Sequence, residues 1–182
     1  MRAGGLIAGI AFALLAPGSA RAYERQQHLG ATAGGTVMST NGGSSPLGWN
    51  FGLHYTYGLL DSLNLVVEAD ASGFGVGKAP AKNPPPEPGF VTAGGVGAVY
   101  IFDVLRWVPY AGGIAGPAYF GGGFLRSGFV TPDIQLAAGL DYQFSRSWTA
   151  GVAYRQHFFI TKMTDYPEFT SLGLRFEYTW GW

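Results

Sequence analysis

The chain has 182 residues, with eleven basic and eleven acidic side chains and therefore no net formal charge at pH 7. A balanced charge argues against a nucleic-acid-binding surface, which needs a clear basic excess. The absence of cysteine excludes disulfides, thiolate metal ligands and a cysteine nucleophile. Charged residues make up only 12% of the chain, about half the usual share for a soluble domain.

The first 22 residues have the pattern of a secretory signal peptide. An uncharged apolar run, Leu6–Ala16, precedes Ala20-Arg21-Ala22, whose small residues are typical of a signal peptidase site. The run is shorter than the roughly 20 apolar residues of a membrane-spanning helix, and a buried N-terminal helix is the alternative. Cleavage after Ala22 would leave one mature domain, residues 23–182, with nine basic and eleven acidic residues. An exported chain this poor in charge, without a long apolar segment, can enter a membrane as a closed β-barrel.

Eight extended segments bounded by turn residues follow in the mature sequence. Each reaches the length of about 9–11 residues that a membrane-spanning strand needs. Tight turns alternate with longer polar connections, the pattern of bacterial outer-membrane barrels, which would place both termini on the periplasmic side. We predict an all-β, eight-stranded antiparallel up-and-down transmembrane barrel with strands at approximately His28–Thr40, Gly48–Leu59, Leu63–Val76, Phe90–Asp103, Val108–Gly121, Phe129–Ser145, Trp148–Ile160 and Thr170–Trp182.

The two faces of the predicted strands differ in chemistry. In the last strand the even-numbered residues from Leu172 to Trp182 are apolar or aromatic, and the odd-numbered ones are Gly, Arg, Glu or Thr. A soluble, lipocalin-like barrel would turn the apolar face inward. However, Lys78, Lys82 and Lys162 all fall in predicted loops, whereas a water-facing exterior needs such charges along its strands. The polar face is rich in small residues, which suits a narrow interior, so we expect the apolar face to contact lipid.

Two motifs resemble those of the OmpA-like outer-membrane β-barrel family. Trp107-Val108-Pro109-Tyr110-Ala111-Gly112-Gly113 is similar to a Trp-x-Pro-Tyr-x-Gly-Gly stretch at the start of a strand in such proteins. Phe176, Tyr178, Trp180 and Trp182 resemble the C-terminal signal read by the barrel assembly machinery, although the family more often ends in Phe. The resemblance covers the mature chain and implies outer-membrane lipid and the assembly machinery as partners, a monomeric barrel and no cofactor.

Charged side chains on the polar face are the strongest functional candidates. Counted from the predicted periplasmic turns, most lie at similar heights, so we expect them to meet at one level inside the barrel. Charges in a narrow lumen must pair or bind water. We expect a salt-bridge plug, and the alternative is a gate or a path for small solutes. The predicted lumen charge network consists of Glu68, Asp70, Asp141, Arg155, Arg175 and Glu177, with His54 and His157 nearby.

A catalytic or metal site has less support. Tyr154-Arg155-Gln156-His157-Phe158-Phe159 resembles the stretch around the catalytic His of outer-membrane lipid A deacylases. Those enzymes have Ser two residues after the His, where this chain has Phe159, so His157 lacks a hydroxyl to activate. The three histidines lie on separate predicted strands at different depths, which favours isolated packing histidines over a metal site.

The sequence therefore predicts a bacterial outer-membrane barrel that is not an enzyme. Its expected role is structural or in surface interaction, with the lumen plugged by polar side chains. A narrow pore for small solutes is the second candidate, and a lipid A-modifying enzyme is a distant third. No motif in the four long loops identifies a surface ligand.

Overall fold

The computed structural model describes residues 25–75, 87–102 and 106–181, and these form a closed antiparallel barrel. Within these ranges no helix is long and apolar enough to cross a membrane. Residues 1–24, which include the predicted signal peptide, residues 76–86 and 103–105, and Trp182 lie outside the described residues. The eight strands are β1 (Gln27–Ser39), β2 (Leu47–Gly58), β3 (Leu63–Phe74), β4 (Phe90–Ile101), β5 (Trp107–Gly121), β6 (Phe129–Gln143), β7 (Trp148–Phe159) and β8 (Glu168–Trp180).

Each strand pairs with its sequence neighbours, and β8 returns to pair with β1. The closing ladder runs from Gln27 opposite Trp180 to Ser39 opposite Glu168. Closure pairs the backbone groups that an open sheet would leave exposed at its edges. The predicted all-β, eight-stranded fold is confirmed, and every predicted strand end lies within two residues of the observed one.

The two ends of the barrel differ in their connections. The turn end carries the short connections 59–62 and 144–147, the start of β1 and the end of β8. The loop end carries the longer connections 40–46, 122–128 and 160–167, together with the end of β3 and the start of β4. This alternation is the predicted one.

The strands turn their apolar faces outward. Trp49 is 60% exposed, Val130 65% and Leu174 73%, whereas the residues between such positions are mostly buried. The lumen is lined instead by polar side chains such as Asn50, His54, Glu68, Asp141 and Glu177, all at most 9% exposed. This arrangement is the reverse of a water-soluble barrel, so the lipocalin-like alternative does not describe this chain.

The lumen also contains an apolar layer at the loop end, which we call the aromatic cap. It comprises side chains from the loop-end termini of six strands and from the connection between β7 and β8. All are at most 8% exposed. The members are Met38, Phe74, Val91, Ala93, Ala118, Phe120, Phe159, Tyr166 and Phe169. A second apolar cluster, which includes Val66, Val99, Tyr110 and Ile114, lines one side of the lumen nearer the turn end.

Candidate functional site

The centre of the lumen holds an unusual concentration of buried charge. Five carboxylates, two guanidinium groups and three imidazoles of the described residues face inward, and all but Arg155 and Asp70 are classed as buried. If the histidines are neutral, the negative charges of the carboxylates outnumber the positive charges of the guanidinium groups. The ten residues are Glu68, Asp70, Asp133, Asp141, Glu177, Arg155, Arg175, His28, His54 and His157.

Glu177 on β8 approaches four other side chains of the lumen. Its Oε1 lies 2.8 Å from His54 Nε2 and also contacts the Arg175 guanidinium. Thr149 donates its hydroxyl to Oε2 at 3.2 Å, and His28 Nδ1 lies 3.9 Å from the same oxygen. A carboxylate only accepts hydrogen bonds, so His54 Nε2 must carry the proton of its bond with Glu177. The Nε of Arg175, 3.2 Å from that nitrogen, then cannot donate to it at the same time.

Glycine on β1 makes the contact between His54 and Glu177 possible. Gly30 is the ladder partner of His54 on one side and of Glu177 on the other. A Cβ atom at Gly30 would lie 2.5 Å from His54 Nε2 and 2.6 Å from Glu177 Cγ. Because Gly30 has no side chain, its two cross-strand partners meet above it instead of being held apart.

Arg175 links Glu177 to a carboxylate two strands away in the barrel wall. Its Nη1 lies 3.3 Å from Asp141 Oδ2 on β6, and the guanidinium sits 4.4 Å from the centre of the Tyr110 ring. The Tyr110 ring in turn covers Gly139, where an added Cβ would lie 2.4 Å from the ring. The guanidinium is therefore surrounded by two carboxylates and an aromatic face.

A second ion pair crosses the lumen. The Arg155 side chain on β7 contacts both carboxylate oxygens of Glu68 on β3, with its Nη2 3.0 Å from Oε2 and its Nε 3.3 Å from each oxygen. β3 and β7 are four strands apart in a closed order of eight, so they stand on opposite walls. This two-pronged geometry is the strong form of a guanidinium–carboxylate contact, and it connects the two walls through the middle of the barrel.

The remaining lumen groups lie nearer the loop end. His157 Nδ1 donates to Asp133 Oδ2 at 2.8 Å, and both side chains are almost fully buried. Asn50 donates to Ser72 at 2.9 Å and to Asp70 at 3.4 Å. His157 lies directly beneath the aromatic cap, with its ring centre 4.5 Å from that of Phe169.

The structure thus brings together most, but not all, of the predicted network. His54, Asp141, Arg175 and Glu177 form one cluster, and Glu68 with Arg155 forms the pair across the lumen. His157 lies closer to the loop end of its strand, and it pairs there with Asp133, which is outside the predicted network. Asp70 contacts Asn50 and has no ion pair with a described basic residue at salt-bridge distance.

The expectation of isolated packing histidines is wrong. His28 and His54 both approach Glu177, and His157 bonds to Asp133. The reason is the ladder register, which places His28 and His54 on adjacent strands near the same carboxylate. Within the described residues, no group of three or more His, Cys, Asp or Glu side chains is arranged to hold a metal ion.

The sequence analysis did not identify several residues of the site. Asp133 shares the parity of Gln135 and Asp141 on β6, so continuing the polar face by two residues would have found it. Tyr110 was noticed only as part of a motif, and the structure shows that its ring supports Arg175. The aromatic cap gave no alternating signal, because residues of both faces are apolar or aromatic around Phe159.

Ring contacts hold the aromatic cap together. The Phe120 ring centre lies 4.7 Å from that of Phe159 and 5.1 Å from that of Tyr166, and Phe159 lies 5.4 Å from Phe169. Tyr166 belongs to the connection between β7 and β8. Burial raises the pKa of Tyr166 to about 12, so its hydroxyl stays neutral. The cap is therefore an uncharged layer above the charged centre of the lumen.

Two small cavities flank the charged centre. One, of about 20 Å³, is lined by Asn50, Glu68, Asp70 and Arg155 among others. The other, of about 30 Å³, lies toward the turn end and is lined by Thr56, Asn64, Asp141, Tyr110 and Glu177 among others. A cavity needs about 10–15 Å³ by this kind of measure to hold one water molecule, so each has room for one or two.

The predicted assembly signal lies on the outer surface as far as the structure describes it. Phe176 is 48% exposed and Tyr178 42%. Trp180 packs 5.8 Å from Tyr178 and 6.3 Å from Tyr55, ring centre to ring centre. These rings belong to an aromatic band at the turn end, where interfacial girdles are found in membrane barrels.

Comparisons with known proteins support the fold and nothing finer. No protein-family model and no curated protein matches the sequence. Among solved structures, Neisserial surface protein A (NspA) is similar, with a TM-score of 0.64, 17% identity and coverage of 84% of this chain and 96% of that one. Ail, the attachment invasion locus protein of Yersinia pestis, has a TM-score of 0.57 and 15% identity, with coverage of 86% of this chain and 99% of that one. The outer membrane protein OprG from Pseudomonas aeruginosa has a TM-score of 0.56 and 11% identity, with coverage of 90% of this chain and 100% of that one. The fold implied by the resemblance to OmpA-like barrels is confirmed.

Proposed function

We propose that this chain is a bacterial outer-membrane β-barrel with a closed lumen and a structural or surface-interaction role. The observation that carries the proposal is the inverted barrel, with large apolar side chains outside and paired charges inside. A soluble protein rarely exposes apolar patches above a few hundred Å². In a bilayer the same surface is satisfied by lipid tails, and the closed sheet leaves no backbone edge to solvate.

Export and insertion complete this proposal. A signal peptide over residues 1–22 would deliver residues 23–182 to the periplasm, and the barrel assembly machinery would read the aromatic terminus ending in Trp182. OprG, a structural match, is an outer membrane protein by name, which supports the same location here. Because every strand is already paired within the chain, the barrel needs no second copy to satisfy its edges, and we propose a monomer.

The closed lumen rests on two successive barriers. The first is the set of ion pairs, of which Arg155 with Glu68 connects opposite walls. The second is the aromatic cap, whose central ring, Phe120, is fully buried. An eight-stranded barrel has an interior just wide enough for side chains, so two filled layers leave no continuous aqueous path in this proposal.

The surface-interaction role is assigned to the loop end. The four longer connections of the chain join strands at this end, and loops carried on a rigid scaffold are common binding sites. Ail, which shares the fold, is an attachment invasion locus protein.

A narrow pore is the second candidate, because the two small cavities interrupt the packing of the lumen on either side of the charged cluster. A lipid A-modifying enzyme has less support. His157 is held by Asp133, and the Phe159 ring, at the position where the resembled enzymes have Ser, is packed in the aromatic cap.

Cell fractionation tests the proposal directly. We expect the protein in the outer-membrane fraction, with different gel mobilities for unheated and boiled samples in SDS, because a closed barrel resists the detergent until it is heated. Recovery from the soluble periplasm with a single mobility would reject it. The mass of lipid A after overexpression tests the enzyme alternative, and we expect it to be unchanged.

A further inference from the structure

We infer that the 30 Å³ cavity at the turn end of the lumen binds one alkali cation together with water. We call it the turn-end cavity, and the residues that carry the argument are Thr56, Asn64 and Asp141. This site is independent of the structural or surface-interaction role, since it concerns how the interior is balanced in charge and hydrogen bonding.

Asn64 gives the clearest indication of a bound group. Its side chain is fully buried, and neither Nδ2 nor Oδ1 has a hydrogen-bond partner in the protein. A buried amide without partners is costly, because it loses its bonds to water and gains nothing. Nδ2 is a donor and cannot bind a cation, so it requires an oxygen, and a water molecule fits the cavity. Oδ1 is an acceptor that suits either a water or a metal ion.

The charge around the cavity favours a cation as the second occupant. Asp141 and Glu177 share the single guanidinium of Arg175, which leaves one carboxylate charge in excess. Asp141 Oδ2 faces Arg175 at 3.3 Å, whereas its Oδ1 is buried without a partner. The Thr56 hydroxyl is likewise buried without a partner. A cation beside Asp141 would offset the excess charge, and the oxygens of Thr56 and Asn64 line the same cavity.

The type of donor indicates the class of cation. Carboxylate, amide and hydroxyl oxygens are hard ligands that suit group 1 and group 2 ions. Calcium takes about 6–8 oxygens, often from several carboxylates, whereas this cavity offers one uncommitted carboxylate oxygen and neutral donors. An alkali ion carries the one charge that is needed. Protonation of His28 or His54, both beside Glu177, is the competing way to balance the same charge.

The experiment compares salts at constant ionic strength, so that screening is equal in every sample. The folded barrel in detergent is heated at pH 8.5, where an ordinary histidine is neutral, in sodium, potassium or choline chloride. Choline is the control cation, because the carbon groups around its nitrogen prevent direct coordination by oxygen atoms. We expect the unfolding midpoint to rise with the alkali concentration, by about 5–10 °C at one hundred times the dissociation constant.

Two variants assign the effect to the cavity. Asn64→Leu should remove most of the difference between alkali and choline salts. Asn50→Leu is the matched control, because Asn50 is a buried lumen amide that bonds to Ser72 and lines the other cavity; it should keep the full difference even if its midpoint falls.

Crystals grown in rubidium chloride provide a readout that needs no variant. We expect an anomalous peak between Asn64 and Asp141. Equal midpoints in all three salts, or ordered water alone at this position in the rubidium crystal, would overturn the inference. A salt difference that survives Asn64→Leu unchanged would show that the cation binds elsewhere and would reject this site.

Discussion

Removing Arg175 should strongly destabilise the folded barrel. The Arg175 side chain is 8% exposed, and its guanidinium contacts Asp141, Glu177 and the Tyr110 ring. Arg175→Ala would leave two buried carboxylates without their cation. Breaking a buried ion pair by removing one partner costs about 3–5 kcal/mol, because the other charge stays buried. We expect a loss of that size in the free energy of unfolding.

Urea unfolding in detergent or lipid vesicles, followed by tryptophan fluorescence, measures this change. Lys162→Ala is the control, because Lys162 pairs with Asp165 at 3.1 Å in a connection where both side chains are more than one-third exposed. Exposed pairs contribute about 0–1 kcal/mol. The two variants remove one cation each, so the comparison isolates the effect of burial.

A triple variant tests the reason for the loss. Arg175→Met combined with Asp141→Asn and Glu177→Gln removes the unpaired charges together with the guanidinium. If buried charge causes the penalty, the triple variant should recover a substantial part of the stability that Arg175→Ala loses. A loss below about 1 kcal/mol for Arg175→Ala, or no recovery in the triple variant, would refute the reasoning.

Three further predictions address the other parts of the barrel. Gly30→Val should separate His54 from Glu177 and destabilise the barrel by about 1–3 kcal/mol in the same urea assay. Gly35→Ala is the control and should change the stability little, because a Cβ there would meet only the Gly48 oxygen, at 3.7 Å. Equal effects of the two substitutions would contradict the argument. Phe120→Ala should cost about 3–5 kcal/mol by opening a hole in the aromatic cap, a result that a native-like midpoint would exclude. Deleting Trp182 should lower the outer-membrane level of the protein more than the stability of the barrel that does form, as immunoblotting of membranes and urea unfolding would show; normal membrane levels would reject its role in assembly.

The barrel itself was predictable because two local signals agree along the whole chain. Turn residues separate eight segments of spanning length, and alternation divides residues such as Leu174 and Arg175 between faces. A one-residue error in register would move a complete apolar set into the lumen, so pattern and fold constrain each other strongly. The strand ends accordingly agree within two residues.

The pairing of the lumen charges was less predictable, because it depends on how the closed sheet is staggered. Parity identifies Glu68 and Arg155 as inward residues but does not say that they meet across the barrel. The pairing of His157 with Asp133 required the same information. Gly30 shows a further limit, since its importance lies in the two side chains it allows to meet and not in any property of its own.

The aromatic cap was invisible to the alternation analysis for a physical reason. Near the loop end, Phe158 and Phe159 are adjacent aromatic residues on opposite faces, so hydrophobicity does not distinguish lipid-facing from lumen-facing positions. The sequence predicted a plug made of polar side chains. The structure adds a second, apolar layer above it, and the proposal of a closed lumen now rests on both.

Single-channel recording in planar bilayers tests the closed lumen most directly. With ion pairs across the lumen and an aromatic cap above them, we expect negligible conductance for the wild-type barrel. We expect measurable conductance when Arg155→Ala, Arg175→Ala and Phe120→Ala are combined, because both layers are then opened. A large, steady wild-type conductance that these substitutions leave unchanged would contradict the closed lumen and establish the narrow pore in its place.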